Sequence, residues 1–509
     1  MEKFLLYSYA IVLLFLSVFG FHRFYMIHIY RKFKSKVRKP LKKFENLPKV
    51  CIQLPVFNEK YVVERLIDKV AQMRYPQELL EIQVLDDSTD ETVEISLAAC
   101  ERVKSLGVNI KQIRRPDRVG FKAGALEYGQ NLTDAEFIAV FDADFLPSED
   151  FLERTIDFFT DPEIGMVQAR WDHINRNFSI LTEVQSILLD GHFMIEHTFR
   201  NRSGRFFNFN GTAGIWRKST IIEAGGWHHD TITEDLDLSY RAQLKGWKFV
   251  YLPELTVPAE LPVEISSFKS QQFRWAKGSI QVFKKLYPQI VTSKNISFKV
   301  KLEAFFHLGA NFAYMLMVLL CILMPLNIAT RMGHGILEVI LFDLPVFIFA
   351  TFSVVFFYLF SEVAVINETL TMKGKSKLTP LIYIPFTISI GIGLAINNSK
   401  AVVEALLGKK TDFIRTPKYD VLGKITSKSE FRKKVSLNKY RFTNINIASI
   451  IELLFAIYFS WTLYFAFDKG FYFSIPFIFL FQFGFLYTAF LSLFHTPLMK
   501  FWNKEKSLT

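Results

Sequence analysis

Apolar positions fall into three regimes along this chain. Residues 4–21 form an almost unbroken apolar run, close to the ~20 residues that cross a bilayer. From 48 to about 260, short apolar runs alternate with stretches of helical periodicity. The runs at 50–54, 82–85, 108–113 and 137–141 read as strands, and helical patterns lie near 59–72, 91–105 and 122–130. That alternation predicts an α/β domain with a mostly parallel sheet covered by helices. Ligands of such sheets bind outside the carboxyl ends of the strands. Pro55, Asp86 and Asp142 each sit at or just past a strand end, so one crevice is expected to hold all three.

The third regime begins near 261. Ile265, Phe268, Trp275, Val282 and Leu286 recur at three-, four- and seven-residue steps, one face of an amphipathic helix. Basic residues share that segment, which places it on a membrane surface. Further apolar stretches lie at 304–328, 338–366, 378–398, 446–467 and 471–494. Residues 399–445 hold twelve Lys/Arg against four Asp/Glu, and 372–377 is also basic, so both belong on the cytoplasmic side. A stretch with both flanks inside cannot cross once. The segment 378–398, which carries Pro385, Gly391 and Gly393, is therefore expected to be interfacial or re-entrant, leaving five crossings. The expected domains are a transmembrane helix over 1–30, a cytosolic domain over 31–260, interfacial helices over 261–300 and a membrane region over 301–509.

Charge fits this layout. The net charge of +12 gathers beside apolar runs, as in Arg31, Lys32, Lys34, Lys36, Arg38, Lys39, Lys42 and Lys43. A basic cluster after the first run argues against a cleaved leader, where it would come before. It sets the following chain in the cytoplasm, against an anionic lipid bilayer. No nucleic-acid motif accompanies the charge. Cys51, Cys100 and Cys321 lie far apart, without metal-ligand spacing or a disulfide framework.

Candidate chemistry rests on acidic residues. In Asp142-Ala143-Asp144, carboxylates two apart in extended chain face one way and suit Mg²⁺ or Mn²⁺ shared with diphosphate oxygens. A plain acidic turn capping a helix at Ser148 is the bland alternative. Asp86 or Asp87, ending the second strand, would accept hydrogen bonds from a base or ribose, although Ser88, Thr89 and Asp90 also make an ordinary helix start. Pro55-Val56-Phe57-Asn58-Glu59 is a similar turn expected to cradle the base. Lys122 opens a helix, where anions are favoured. Glu234 and Asp235 begin another; beyond capping, Asp235 is the candidate base for an acceptor hydroxyl, with Glu234 in support. Gln271-Gln272-Phe273-Arg274-Trp275 offers Arg274 to a diphosphate, Trp275 as a stacking surface for an acceptor sugar and Gln271 as a polar contact, or else only an anchored interfacial helix. Arg274 and Trp275 point about 100° apart on a helix, so they serve different ligands.

Taken as a set, the D, DxD, TED and QxxRW motifs resemble those of the membrane-embedded processive members of glycosyltransferase family 2. Gln168-Ala169-Arg170-Trp171, Asn210-Gly211-Thr212-Ala213-Gly214 and Gly225-Gly226-Trp227 are similar to the cellulose-synthase-like mannan and glucan synthase branch. The resemblance covers roughly 48–290 well and the rest by layout. It implies a Rossmann-like GT-A domain facing the cytosol of a bacterial inner or Golgi-type membrane, and a nucleotide-sugar donor, GDP-mannose or UDP-glucose. It further implies a growing β-linked polysaccharide as acceptor and inversion by direct displacement. Accessory cell-envelope or secretion proteins would be its partners. It assigns the nucleotide to Asp87 or Asp86, metal to Asp144, donor contact to Asp142, and the base to Asp235. Asn210, Gly211 and Thr212 would line the acceptor site, while His228 and His229 read as a surface loop. An F-x-V-T-x-K gating loop is matched within 408–440 by Phe413, Thr416 and Lys418, with Arg415 where Val is usual. Non-processive transfer to a ceramide- or polyprenyl-phosphate-type lipid is the competing function. A catalytically inert scaffold fits poorly, because clustered carboxylates are costly without a cation.

Overall fold

The computed structural model describes residues 2–330, 351–368, 379–409, 416–421 and 447–505. Seven strands form one sheet: β1 (Val50–Val56), β2 (Leu80–Asp86), β3 (Ile110–Ile113), β4 (Phe137–Val140), β5 (Ile164–His173), β6 (Gly214–Arg217) and β7 (Lys248–Ala259). Their order is β3-β2-β1-β4-β6-β5-β7. The half that runs from β3 to β4 is parallel, as the alternating pattern predicts. β6 lies antiparallel between β4 and β5.

The parallel strands are covered on both faces, which is why they read as continuous apolar runs; in β1 every residue but Pro55 is buried. The crossover helices are Val63–Ala71, Thr92–Ser105 and Phe121–Asn131. In the first, Val63, Leu66, Ile67 and Val70 bury a stripe at helical spacing against the sheet.

β5, β6 and β7 are not among the strands expected from the pattern. β7 carries Pro253 and Pro258, which normally count against a strand, but it is the edge of the sheet, where proline is tolerated. Its pairing with β5 jumps from Ala169–Leu252 to Arg170–Thr256, so Pro253 falls in the irregularity.

Among the described residues, three helical stretches are long and apolar enough to cross a membrane: Lys3–Phe33, Ile447–Asp468 and Tyr472–Leu493. Two bent pairs would bring the number to five: Phe298–Gly309 with Phe312–Ile328, at 57°, and Thr379–Gly393 with Ala395–Leu406, at 42°. The second pair contains the expected interfacial stretch, and its bend suits a broken span or a re-entrant loop. Of the expected 338–366 span, the helix Ser353–Glu368 is described and 338–350 lies outside the described residues.

The amphipathic helix is longer than its pattern, Ile265–Thr292, and buries Ile265, Phe268, Val282 and Leu286. Its basic residues do not all face a lipid surface as expected. Lys269 is buried 2.7 Å from Glu452, and Lys277 is buried 2.9 Å from Glu404. Both carboxylates belong to helices of the membrane block, so the charges are matched inside protein rather than at headgroups.

Candidate active site

Three parallel strands deliver their ends to one cleft. Pro55 from β1, Asp87 after β2, and Asp142 and Asp144 after β4 all line it. Glu59, Lys122, Asn210, Gly211, Glu234, Asp235, Gln271, Arg274, Trp275, Thr416 and Lys418 also line the walls. The strand-end rule thus holds for Pro55 and Asp142, and a helix start adds Glu234 and Asp235 to the same crevice.

Asp86 and Asp87 separate by strand alternation. Asp86 is buried and accepts hydrogen bonds from the Ser88 amide at 2.8 Å, Ser96 Oγ at 2.6 Å and Gln112 Nε2 at 2.8 Å. It staples β2 to the next helix and does not line the cleft. Asp87 does, and Arg115 grips its carboxylate through two nitrogens, Nε at 3.0 Å. Asn58 is likewise buried away from the cleft. In the left-handed conformation, at φ 56°, its Oδ1 accepts the Thr89 amide at 2.8 Å, so it ties the first two strand-end turns together. Thr212 is fully buried, and its Oγ1 accepts the Asp142 amide at 2.9 Å. Its side chain orients Asp142 instead of lining the cleft.

Lys122 points into the cleft from the first turn of its helix. Its Nζ lies 2.5 Å from Asp142 Oδ1 and donates to the Gly211 carbonyl at 2.9 Å. Burial opposes the ammonium charge, but Asp142, Glu234 and Asp235 outweigh it and raise its pKa. Burial also raises Asp142, and the neighbouring Asp144 adds to it. Asp144 meets Lys418 Nζ at 2.6 Å. Phe413 lies outside the described residues. The Thr416–Val421 stretch is tied down at several points. Arg274 donates to Thr416 Oγ1 at 2.8 Å, Glu260 accepts the Tyr419 amide at 2.9 Å and the Val421 amide at 3.2 Å, and Arg65 pairs with Asp420.

Asp235 occupies the first turn of the helix Glu234–Leu244. Burial, reinforced by Glu234, pushes its carboxyl up to about 8. Burial raises Glu234 as well. Gly211, at φ 78°, is what lets the Asn210–Thr212 turn pass: a Cβ there would stand 3.1 Å from Asp235 Oδ2. Gly278 does the same on the opposite side, since a Cβ would come within 2.4 Å of Thr233 Cγ2. That contact seats the helix carrying Gln271, Arg274 and Trp275 directly on Thr233-Glu234-Asp235. Burial lowers Arg274 to about 10. Trp275 instead faces Trp171, with ring centroids 6.5 Å apart.

The donor set suits a hard divalent cation. Asp142 and Asp144 offer oxygen only, and each already holds an ammonium, which shows that the pocket calls for positive charge. His228, Asp230 and Asp237 also cluster within metal-binding reach. Lys285, 2.8 Å from Asp230 and 2.9 Å from Asp237, and Arg241, 2.7 Å from Asp237, already fill that cluster with cations. His228 keeps to this cluster and is not among the cleft-lining residues.

Several cleft residues escape the sequence reading. Arg118 lies 3.3 Å from the centre of the Phe57 ring, and Arg115, Trp171, His173 and Glu260 also touch or line the site. A basic run, Arg114-Arg115-Pro116-Asp117-Arg118, directly after the third parallel strand was the available signal for the two arginines.

Family comparisons agree with this geometry. The model "Glycosyl transferase family 2" matches residues 51–221, and "Glycosyl transferase family group 2" matches 137–361. The "Probable glucomannan 4-beta-mannosyltransferase 9" of Oryza sativa subsp. japonica is 44% identical over 265 residues, covering 51% of this chain and 50% of that protein. The "Glucomannan 4-beta-mannosyltransferase 2" of Arabidopsis thaliana is 42% identical over 292 residues, covering 56% and 55%. The chain thus spans about half the length of these relatives. A solved mannosyltransferase, PcManGT from Pyrobaculum calidifontis, in complex with GDP-Man and Mn²⁺, shares the fold at a TM-score of 0.50 and 17% identity, over 79% of this chain and all of that one. Residues 51–361 thus carry glycosyltransferase family 2 domains, and the chain is similar to glucomannan 4-beta-mannosyltransferases over about half its length.

Proposed function

We propose that this protein is an inverting mannosyltransferase that extends a β-linked mannan-type polysaccharide from GDP-mannose and passes the product across a membrane. One observation carries the reading: Asp87, Asp142, Asp144 and Asp235 converge on one cleft with Arg274 and Lys418. The names of the relatives favour mannose over glucose, and the apolar helices beside the cleft support passage through a Golgi-type or bacterial inner membrane, with the cleft on the cytosolic side.

Asp87, held by Arg115, takes the nucleoside. Asp144 and Asp142 would hold Mg²⁺ or Mn²⁺, which supplies positive charge to neutralise the departing diphosphate. Asp235 accepts the proton of the acceptor hydroxyl as its oxygen bonds the anomeric carbon and the carbon–phosphate-oxygen bond breaks. Its raised pKa leaves a base strong enough for that proton. Lys122, Lys418 and Arg274 line the path of the leaving diphosphate. Trp275 stacks on the acceptor sugar.

The test gives membranes containing the protein radiolabelled GDP-mannose or UDP-glucose with Mg²⁺ or Mn²⁺, followed by mannanase or cellulase. The expected product is a polymer made from GDP-mannose and degraded by mannanase. A lipid-extractable product bearing a single sugar would overturn the polymer reading.

A further inference from the structure

Asn210 lines the cleft, one residue before Gly211, the glycine packed on Asp235. Two histidines clamp its amide. His197 Nε2 lies 2.5 Å from Asn210 Oδ1, and Asn210 Nδ2 lies 3.2 Å from His192 Nε2. Both histidines belong to a π-helical turn, Gly191–His197. A π-turn bonds each N–H five residues back, so residues five apart stack on one face. An α-helix would set them about 140° apart. The wide turn is thus what lets both rings reach one side chain. It is wedged in place, because a Cβ on Gly191 would lie 2.8 Å from Phe357.

The polarity of the clamp has a single source. Glu196 Oε2 is 3.1 Å from His192 Nδ1. Arg200, 3.1 Å away, and His192 hold the Glu196 carboxyl well below the usual range, although burial opposes them. The carboxylate therefore accepts the hydrogen bond of His192 Nδ1–H, and in that tautomer Nε2 is the acceptor of the ring. That nitrogen can bond only the amide N–H of Asn210, so Asn210 Oδ1 must turn to His197. Burial, reinforced by the charge of Arg200, keeps His197 neutral, with its Nε2–H as the donor. The amide keeps one N–H and one lone pair uncommitted among the described residues.

We infer that Glu196 and His192 are positioning residues which fix the orientation of the Asn210 amide, so that its remaining N–H and carbonyl lone pair bind neighbouring hydroxyls of the acceptor sugar. This rests on the mannosyltransferase reading above and adds a specificity device to it. Asn210 meets the sugar. Glu196 and His192 act only through Asn210.

The test uses the full chain in detergent, with GDP-[¹⁴C]mannose, Mn²⁺ and mannotetraose. Glu196→Gln is expected to raise the KM for mannotetraose about tenfold, the scale of one lost hydrogen bond, while the KM for GDP-mannose stays put. The double variant with Asn210→Ala is expected to be no worse than Asn210→Ala alone, as for residues acting in series. His192→Gln, whose amide oxygen can still accept from Asn210, should keep the KM for mannotetraose near that of the wild type, and His192→Leu should not. This second pair decides the matter if Glu196→Gln fails to fold. Equal rises in both KM values, additive losses in the double variant, or identical behaviour of the two His192 variants would overturn the inference. A wild-type protein that transfers no mannose from GDP-mannose would sink the parent reading, and this one with it.

Discussion

Lys418 and Asp144 stand 274 positions apart in sequence, yet the ammonium lies 2.6 Å from the carboxylate, and both side chains are buried. Lys418 also donates to the Glu260 carbonyl. The lysine thus sits on the carboxylate assigned to the metal, so ammonium and divalent ion compete for Asp144. Lys418→Met is expected to tighten Mn²⁺ binding measured without donor, by about tenfold if one charge-assisted contact is lost. Weaker Mn²⁺ binding, read by electron paramagnetic resonance, would show that Lys418 supports the metal site instead.

Asp235 lines the cleft beside Gly211, where the proposed mechanism puts the acceptor hydroxyl. Asp235→Asn is expected to cut turnover by about 10²–10⁴-fold, the usual contribution of a general base. Donor binding should survive, because Asp87, Asp142 and Asp144 remain. Loss of GDP-mannose binding, followed by calorimetry, would move Asp235 to the donor side.

The pH dependence follows from the same residue. Its carboxyl rises from 3.8 to about 8, chiefly through burial and then through Glu234. As a base it works only when ionised, so kcat/KM should climb with pH toward about 8 and then level. Stability runs the other way. A group whose pKa is raised on folding contributes stability that is complete below 3.8 and lost as pH passes about 8. Thermal unfolding without metal should therefore show the wild type losing ground to Asp235→Asn between pH 5 and 9. Parallel curves for the two proteins would rule out the burial argument.

Arg176 joins the cleft domain to the apolar helices. Its guanidinium lies 2.8 Å from Glu183, 2.7 Å from Asp190 and 2.6 Å from Glu362, which belongs to the helix Ser353–Glu368. Asp190 in turn meets His173, which lines the cleft, at 3.3 Å. Arg176→Met would remove the shared cation from three buried carboxylates, of which Asp190 keeps His173 as a partner, at a cost of about 3–5 kcal/mol. Glu362→Gln should cost less, since the cation keeps two partners. Equal melting temperatures for the two variants would mean that the cluster is not the joint it resembles.

Much of this protein was legible in one dimension. Buried parallel strands must be apolar throughout, so β1, β2 and β4 announce themselves, and the rule for strand ends then expects Pro55, Asp86 and Asp142 in one place, where the structure puts Pro55 and Asp142. Asp86 illustrates the limit. It is as acidic as Asp87 and stands next to it, but alternation along the strand turns one inward and the other to the cleft. Which one turns inward depends on the packing of β2 against its helix, through Ser96 and Gln112. β7 was hidden for a related reason: its prolines are tolerable only because it is an edge strand, and edge position is a property of the assembled sheet.

The sequence by itself determined the strand–helix alternation, the apolar helices and the residue types of the site, because each is set by neighbours a few positions away. Only the tertiary structure decided partners: Lys122 with Asp142, Lys418 with Asp144, Lys269 and Lys277 with carboxylates of the membrane block, and His192 with His197 around Asn210. An ion pair or an oriented amide depends on distances of about 3 Å between segments far apart in the chain. No local pattern encodes those distances; packing sets them.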